Sequence, residues 1–247
     1  MHVEQVEIDS RVLGRNVLAI QELDTAVDFR AFEDGYIQAF DPAYVYCKTS
    51  MDAVGEVHYL ESNGFNFIEC QIRAAALLKP FNLERYDSFV YERITQEHEL
   101  EGVIAIAGST FTHDRWRMDP QLDPGLAGER YRQYLYNSFR DPKEFIFRLC
   151  ERATGRTLAF QTNRIINQKD VLFLLIGVHP DFKNQGLGVV NEYFAFNELV
   201  SMGFRKAVTH LSAANYPMLN LNFSGLGFKV TTTFAVLRKL YGPIYPR

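Results

Sequence analysis

One short stretch restricts this chain more than any other: Val178-His179-Pro180-Asp181-Phe182-Lys183-Asn184-Gln185-Gly186-Leu187-Gly188. The apolar run before it, Val171 to Val178, reads as a strand. The segment after it, Leu187 to Met202, carries apolar residues at helical spacing. A strand, a polar glycine-containing loop and a helix are what a diphosphate site needs. Gly186 and Gly188 have no Cβ, so backbone N–H groups can converge and a ligand can approach. The helix behind them adds unpaired N–H groups and the positive end of its dipole. Two familiar phosphate loops are excluded. A dinucleotide fingerprint needs a third glycine where Asn191 stands, and no Gly-Lys-Ser/Thr follows for a P-loop.

The stretch resembles the acetyl-CoA loop of the GCN5-related N-acetyltransferases (GNAT superfamily), Val-x-Pro-x-x-(Arg/Gln)-x-x-Gly-x-(Gly/Ala). Val178, Pro180, Gly186 and Gly188 match, and Lys183 stands where Arg or Gln is usual. A second element, Asn215 to Phe223 closing on Gly227-Phe228, resembles the Asn-x-x-Ala-x-x-(Leu/Phe)-Tyr-x-x-x-Gly-Phe segment of the same superfamily, with one extra residue before Gly227. The resemblance implies a GNAT fold with acetyl-CoA as cosubstrate and no metal. Ile176, Val178, Lys183, Asn184, Gln185, Gly186, Leu187, Gly188, Asn215 and Asn222 would contact it. Asn215 also suits a plain helix N-cap, with Pro217 in the first turn.

Position 222 departs from the pattern. The superfamily has Tyr there, which protonates the leaving thiolate. An amide cannot act as that acid, although it can donate a hydrogen bond to sulfur. Tyr216 and Tyr193 are alternative donors in the sequence. Amine acetylation also needs a proton acceptor, for which His113, Asp114, His179 and His210 are candidates. The loop from Phe111 to Pro120 concentrates His113, Arg115, Trp116 and Arg117. Arg grips phosphate by paired hydrogen bonds and Trp stacks on rings, so these residues are expected to bind the acceptor.

The remainder sets bounds. The chain has 247 residues, 47% of them apolar, enough for a large core. A net charge of −4 without long runs of one sign argues against nucleic acid or membrane surfaces as partners. Cys47, Cys70 and Cys150 show neither metal-ligand spacing nor a disulfide framework, which fits a reducing cytoplasm. The start lacks a secretory pattern, and no apolar run reaches membrane-spanning length.

Strands are expected at Val12 to Gln21, Phe65 to Leu78, Ser88 to Ile94, Phe145 to Glu151, Thr157 to Ile166, Val171 to Val178, Lys206 to Leu211 and Phe228 to Arg238. Helices are expected near Thr25 to Ala39, Met51 to Asn63, Gln96 to Gly108, Gly128 to Phe139, Leu187 to Met202 and Tyr216 to Gly225, with a loop from Ser109 to Ala127. The class is α/β (α+β), with a mixed sheet. Pro80, Asn82 and Asp87 mark a junction between residues 1–84 and 85–247. A faint echo links Tyr59 to Phe65 with Asn222 to Phe228, each a helix closed by Gly-Phe before a long strand; a common helix C-cap explains it equally well.

In layout the chain is similar to bacterial dTDP-fucosamine (dTDP-4-amino-4,6-dideoxygalactose) N-acetyltransferases. Those join a truncated GNAT-like N-terminal domain to a complete catalytic one. That resemblance implies a nucleotide-linked amino sugar as acceptor and leaves a homodimer open. Another small amine as acceptor, or an acyl-CoA sensor without turnover, are the alternatives.

Overall fold

The computed structural model describes residues 1–242. The first half runs β1 (His2–Gln5), α1 (Glu7–Leu13), β2 (Val17–Glu22), α2 (Phe29–Phe40), β3 (Tyr44–Ser50), α3 (Val54–Ser62) and β4 (Asn66–Leu77). The second runs β5 (Phe89–Arg93), α4 (Leu100–Thr110), α5 (Arg115–Met118), α6 (Gly125–Arg140), β6 (Glu144–Glu151), β7 (Thr157–Ile165) and β8 (Asp170–Val178). It ends with α7 (Leu187–Ser201), β9 (Lys206–Ser212), α8 (Tyr216–Asn220) and β10 (Lys229–Leu240).

Most expected elements sit where the periodicity put them. The segment Val12 to Gln21 is a correction. α1 closes at Gly14, which takes the left-handed conformation at φ 69°, and the strand starts only at Val17. Val6, Val12 and Leu13 pack at helical spacing against the core under α4 and α6. Strand β3 was not foreseen, and α5 forms inside the expected loop because the Asp114 carboxylate caps it, accepting from the Trp116 N–H at 2.7 Å.

Among the described residues, all the strands join one ten-stranded mixed sheet, in the order β1-β2-β3-β10-β4-β9-β8-β7-β6-β5. The pairs β2/β3 and β8/β9 are parallel, and the others are antiparallel. The central order reads the same when β2-α2-β3-α3-β4 is exchanged with β8-α7-β9-α8-β10. The sheet therefore has a local two-fold repeat whose axis passes between β10 and β4. Each half lends its last strand to the other: β10 pairs with β3, and β4 pairs with β9. The Gly-Phe echo lies on this repeat. Gly64 and Gly227 both have positive φ (84° and 73°), and Phe65 and Phe228 are both buried.

Two layers of helices cover the sheet. α1, α4, α5 and α6 bury Val103, Ile106, Trp116, Tyr131 and Leu135 against Tyr44, Ile146 and Phe160. The opposite face takes α7 over Phe145, Phe147 and Phe173, and takes α2 and α3 over Leu18, Val45 and Leu237.

Candidate acyl-CoA and acceptor site

Two parallel strands part to make the site. β8 pairs with β9 only from Asp170 to Phe173, whereas its pairing with β7 continues to Val178. A bulge opposite Thr162 and Asn163 helps turn β8 away. Beyond Phe173, the β9-facing backbone edge of β8 opens onto a gap. The loop 179–186 lies at its mouth. Pro180 to Phe182 form one tight turn, Asn184 has φ 62°, and Gly186 has φ 80°, which favours glycine. The Gly186 carbonyl accepts from the N–H groups of Val189 and Val190. The N–H groups of Leu187 and Gly188 have no hydrogen-bond partner among the described residues. They sit at the first turn of α7, where an anion is favoured.

Gap and helix start share a cavity of about 440 Å³. Ile176, Val178, Lys183, Asn184, Gly186, Leu187 and Gly188 line one side of it, and Asn215 with Met218 and Leu221 the other. Asn215 also caps α8, its side chain accepting from the Met218 N–H at 3.3 Å. A Cβ placed on Gly188 would lie 3.8 Å from Val178 and 3.9 Å from Leu221, so the glycine keeps the floor open. The third wall comes from the end of α4 and the loop after it, Thr110, Phe111, His113 and Asp114, with Tyr131 of α6. The Thr110 hydroxyl donates to the Val178 carbonyl at 3.0 Å, tying α4 to the end of β8.

The structure separates the other expected site residues from this cavity. Gln185 turns its amide to the Asp181 carbonyl at 3.0 Å. Tyr216 is exposed outside the lining. Asn222 is buried in the turn after α8, with Nδ2 donating to the Met218 carbonyl at 2.8 Å, and does not line the cavity. Tyr193 stacks on Phe81. Of the candidate proton acceptors, His113 and Asp114 are in the wall, and His179 and His210 are not. Asp114 is already committed: one oxygen caps α5 and the other accepts from the Tyr131 hydroxyl. Burial and then this carboxylate hold the Tyr131 phenol well above its ordinary value, so it stays protonated.

Arg115, Trp116 and Arg117 also lie outside the lining. Arg115 and Arg130 both pair with buried Asp9 of α1, and the Arg115 guanidinium lies 4.0 Å from the centre of the Tyr46 ring. Burial opposes ionisation of Asp9, but the two guanidiniums outweigh it and lower its pKa. Trp116 is in the core. Asp119, just past α5, holds Arg238 of β10 through two hydrogen bonds of 2.7 and 3.0 Å. The dense Arg and Trp content of this loop thus fastens α5 to the sheet and to α1.

One group of residues escaped sequence reasoning because it is spread over four strands. Directly opposed strand residues share a face. Ser50, Phe234, Gln71 and Ser212 therefore form a row across β3, β10, β4 and β9. Lys48, Val236 and Glu69 form the next row. Thr232, Arg73 and His210 form the row on the other side. Glu69 is buried and accepts from the Gln71 amide at 2.8 Å; burial chiefly pushes its carboxyl up. The strip meets the cavity region at α5: Met118 contacts Ser212 at 3.8 Å, and the capping residue Asp114 is in the cavity wall.

No protein-family profile and no curated protein sequence matches the chain. Solved structures do. A GCN5-related N-acetyltransferase from Sphaerobacter thermophilus matches with a TM-score of 0.67 at 12% identity, covering 99% of this chain and 76% of that one. The chain has the GNAT fold. A second GNAT protein, from Kribbella flavida, matches at 0.60 with 16% identity over 92% of this chain and 82% of its own. A tandem GNAT protein from the clavulanic acid biosynthesis pathway matches at 0.58 with 13% identity, over 92% and 76%. At these identities the likeness is one of fold. The splayed β8/β9 pair gives the cavity an open backbone edge, and the start of α7 gives it a terminus that favours an anion. Among the described residues there is no group of side chains that could hold a metal ion, and no helix long and apolar enough to cross a membrane.

Proposed function

We propose that this protein is an acetyl-CoA-dependent N-acetyltransferase acting on the amine of a nucleotide-linked amino sugar. One observation carries the reading: the opening between β8 and β9 ends at unpaired N–H groups on the glycine-flanked start of α7. The first supplies backbone groups to a thioester and its amide arm; the second supplies an anion site. Lys183 adds a charge at the mouth.

The bound thioester supplies an activated acyl carbon. Backbone N–H groups on the open edge of β8, near Val178, would polarise its carbonyl. His113 is proposed as the group that takes the proton from the attacking amine. It is an exposed imidazole in the wall, and among the described residues it has no ion-pair partner. Asn222 is spent on the turn after α8, so the leaving thiolate would take its proton from water. A thiolate is a good leaving group and tolerates this. Residues 1–84 are proposed as a truncated GNAT-like domain, supported by the exchange symmetry of the sheet.

The test is thiol release from acetyl-CoA with dTDP- and UDP-linked amino-deoxy sugars, free amino sugars, amino acids and peptides. Release with nucleotide sugars alone is expected. Release with free amines would keep the transferase and discard the sugar nucleotide. No release, with acetyl-CoA still bound, would favour a sensor. His113→Gln should lower kcat by about 10²-fold, the scale of a lost proton acceptor, and leave acetyl-CoA affinity unchanged. An unchanged kcat would remove His113 from the chemistry.

A further inference from the structure

The strip across β3, β10, β4 and β9 carries charges that the fold itself does not use. The Lys48 ammonium sits 4.3 Å from the centre of the Phe234 ring, and the His210 ring centre lies 6.3 Å from it on the other side. Arg73 stands directly opposite His210 on the paired strand. Lys48 and His210 are exposed, and Arg73 and Phe234 are half-buried. Neither Lys48 nor Arg73 has a carboxylate within ion-pair distance among the described residues. Elsewhere on this side of the sheet, Arg115, Arg130 and Arg238 are each paired with a buried aspartate. A fold that pairs those arginines with aspartates, and leaves Lys48 over the Phe234 ring and Arg73 beside His210 without a carboxylate partner among the described residues, has left a place for an anion.

We propose that Lys48, Arg73, His210 and Phe234 form a subsite for a phosphoryl group carried by the acceptor. The proposal rests on the reading that the acceptor amine reaches the cavity from this face. A phosphoryl group suits the arrangement better than a single carboxylate. It offers several oxygens, and here two cations and an imidazole approach from three strands with Phe234 as an apolar floor. The open side of the His210 ring faces solvent, but its packing against Phe234 strips water from the rest; this, and then repulsion from Lys48 and Arg73, pushes the ring down to about 4, so at neutral pH it is an uncharged donor or acceptor. Glu69 lies in the adjacent row and attracts Lys48. It places negative charge on the α5 side of the strip and leaves the positive charge on the far side. An acceptor with an ammonium at one end and a phosphoryl at the other would lie along that polarity.

The test uses the intact protein and the His210 ring as reporter, followed by NMR during a pH titration. Inorganic pyrophosphate, thymidine diphosphate and acetate are added separately, with acetyl-CoA binding measured in parallel. Pyrophosphate and thymidine diphosphate should raise the His210 pKa by one unit or more, and acetate at equal concentration should not. Lys48→Ala and Arg73→Gln should each weaken pyrophosphate binding at least tenfold at the reporter and leave acetyl-CoA affinity intact. An unmoved His210, an equal response to acetate, or unaltered binding in both variants would overturn the subsite. If acetyl-CoA binds while pyrophosphate leaves His210 unmoved, the subsite falls and the transferase reading stands. If pyrophosphate titrates His210 while acetyl-CoA does not bind, the reverse holds.

Discussion

Glu192 is completely buried in α7, and neither of its carboxylate oxygens has a hydrogen-bond partner among the described residues. Burial alone pushes its pKa up to about 8. The folded protein therefore keeps this proton at neutral pH, while the unfolded chain releases it near 4.5. Between those values the unfolded state binds fewer protons, so folding stability falls by about 1.4 kcal/mol per pH unit from this group. Glu192→Gln should flatten that slope: denaturant melts at pH 5 and pH 8 should differ less in the variant than in the wild type. Asp9 has the opposite sign. Its lowered pKa contributes stability at neutral pH that is lost as acid titrates it. Asp9→Ala strands two largely covered arginines and should cost roughly 3 kcal/mol in chemical denaturation. Neither effect was legible in the sequence. Glu192 reads there as a polar position in a helix, and nothing in the local pattern says that Asp9 meets Arg115 and Arg130 across the fold. The internal ties of the loop 111–120 were illegible for the same reason: Arg115, a side chain suited to gripping a ligand, pairs with Asp9, and Asp119 is held by Arg238 of β10.

At the level of single elements, the strand–loop–helix from Val171 to Ser201 was readable almost to the residue, because its apolar spacing and glycines act locally. The helix and strand closing on Gly64-Phe65 were equally plain. Strand β3 is obscured in the sequence because it holds Lys48 and Thr49 among its apolar residues; its place is set by pairing with β2 and β10. The end of α1 resembles a strand in the sequence because Val12 and Leu13 lead into the apolar run of β2. The start of α7 gives the sharpest element-level prediction. A Cβ at Gly188 would make only ordinary contacts, with Val178 and Leu221, and all three residues line the cavity. Gly188→Trp should therefore fill the anion site without disturbing the core. Calorimetry should show CoA affinity reduced at least tenfold, with Tm nearly unchanged. Undiminished affinity would show that the ligand lies elsewhere.

Over the whole molecule, the two-fold order of the sheet makes the halves interdependent. β10 has both of its neighbours in the first half, and β4 has β9 and β10 from the second. A fragment of residues 85–247 would leave β10 with no partner on either edge and expose the apolar faces of Ala235 and Leu237. Made alone, it should show no cooperative unfolding transition, and adding residues 1–84 in trans should restore one. The anion strip has the same origin: it exists only where strands of both halves alternate. A sequence read one segment at a time could show that Gly-Phe recurs but not that the two strands behind it change places.

Because β10, in the middle of the sheet, follows every other described strand in the sequence, synthesis order matters to this chain. β3 emerges early, with Tyr44, Val45 and Cys47 suited to burial, yet the strand that will flank it is β10. At roughly 5–20 residues per second, translating the second half leaves that edge open for many seconds. During that time it can pair with the wrong strand or with another nascent copy. Such a chain should depend on holding chaperones in proportion to how slowly its second half is translated.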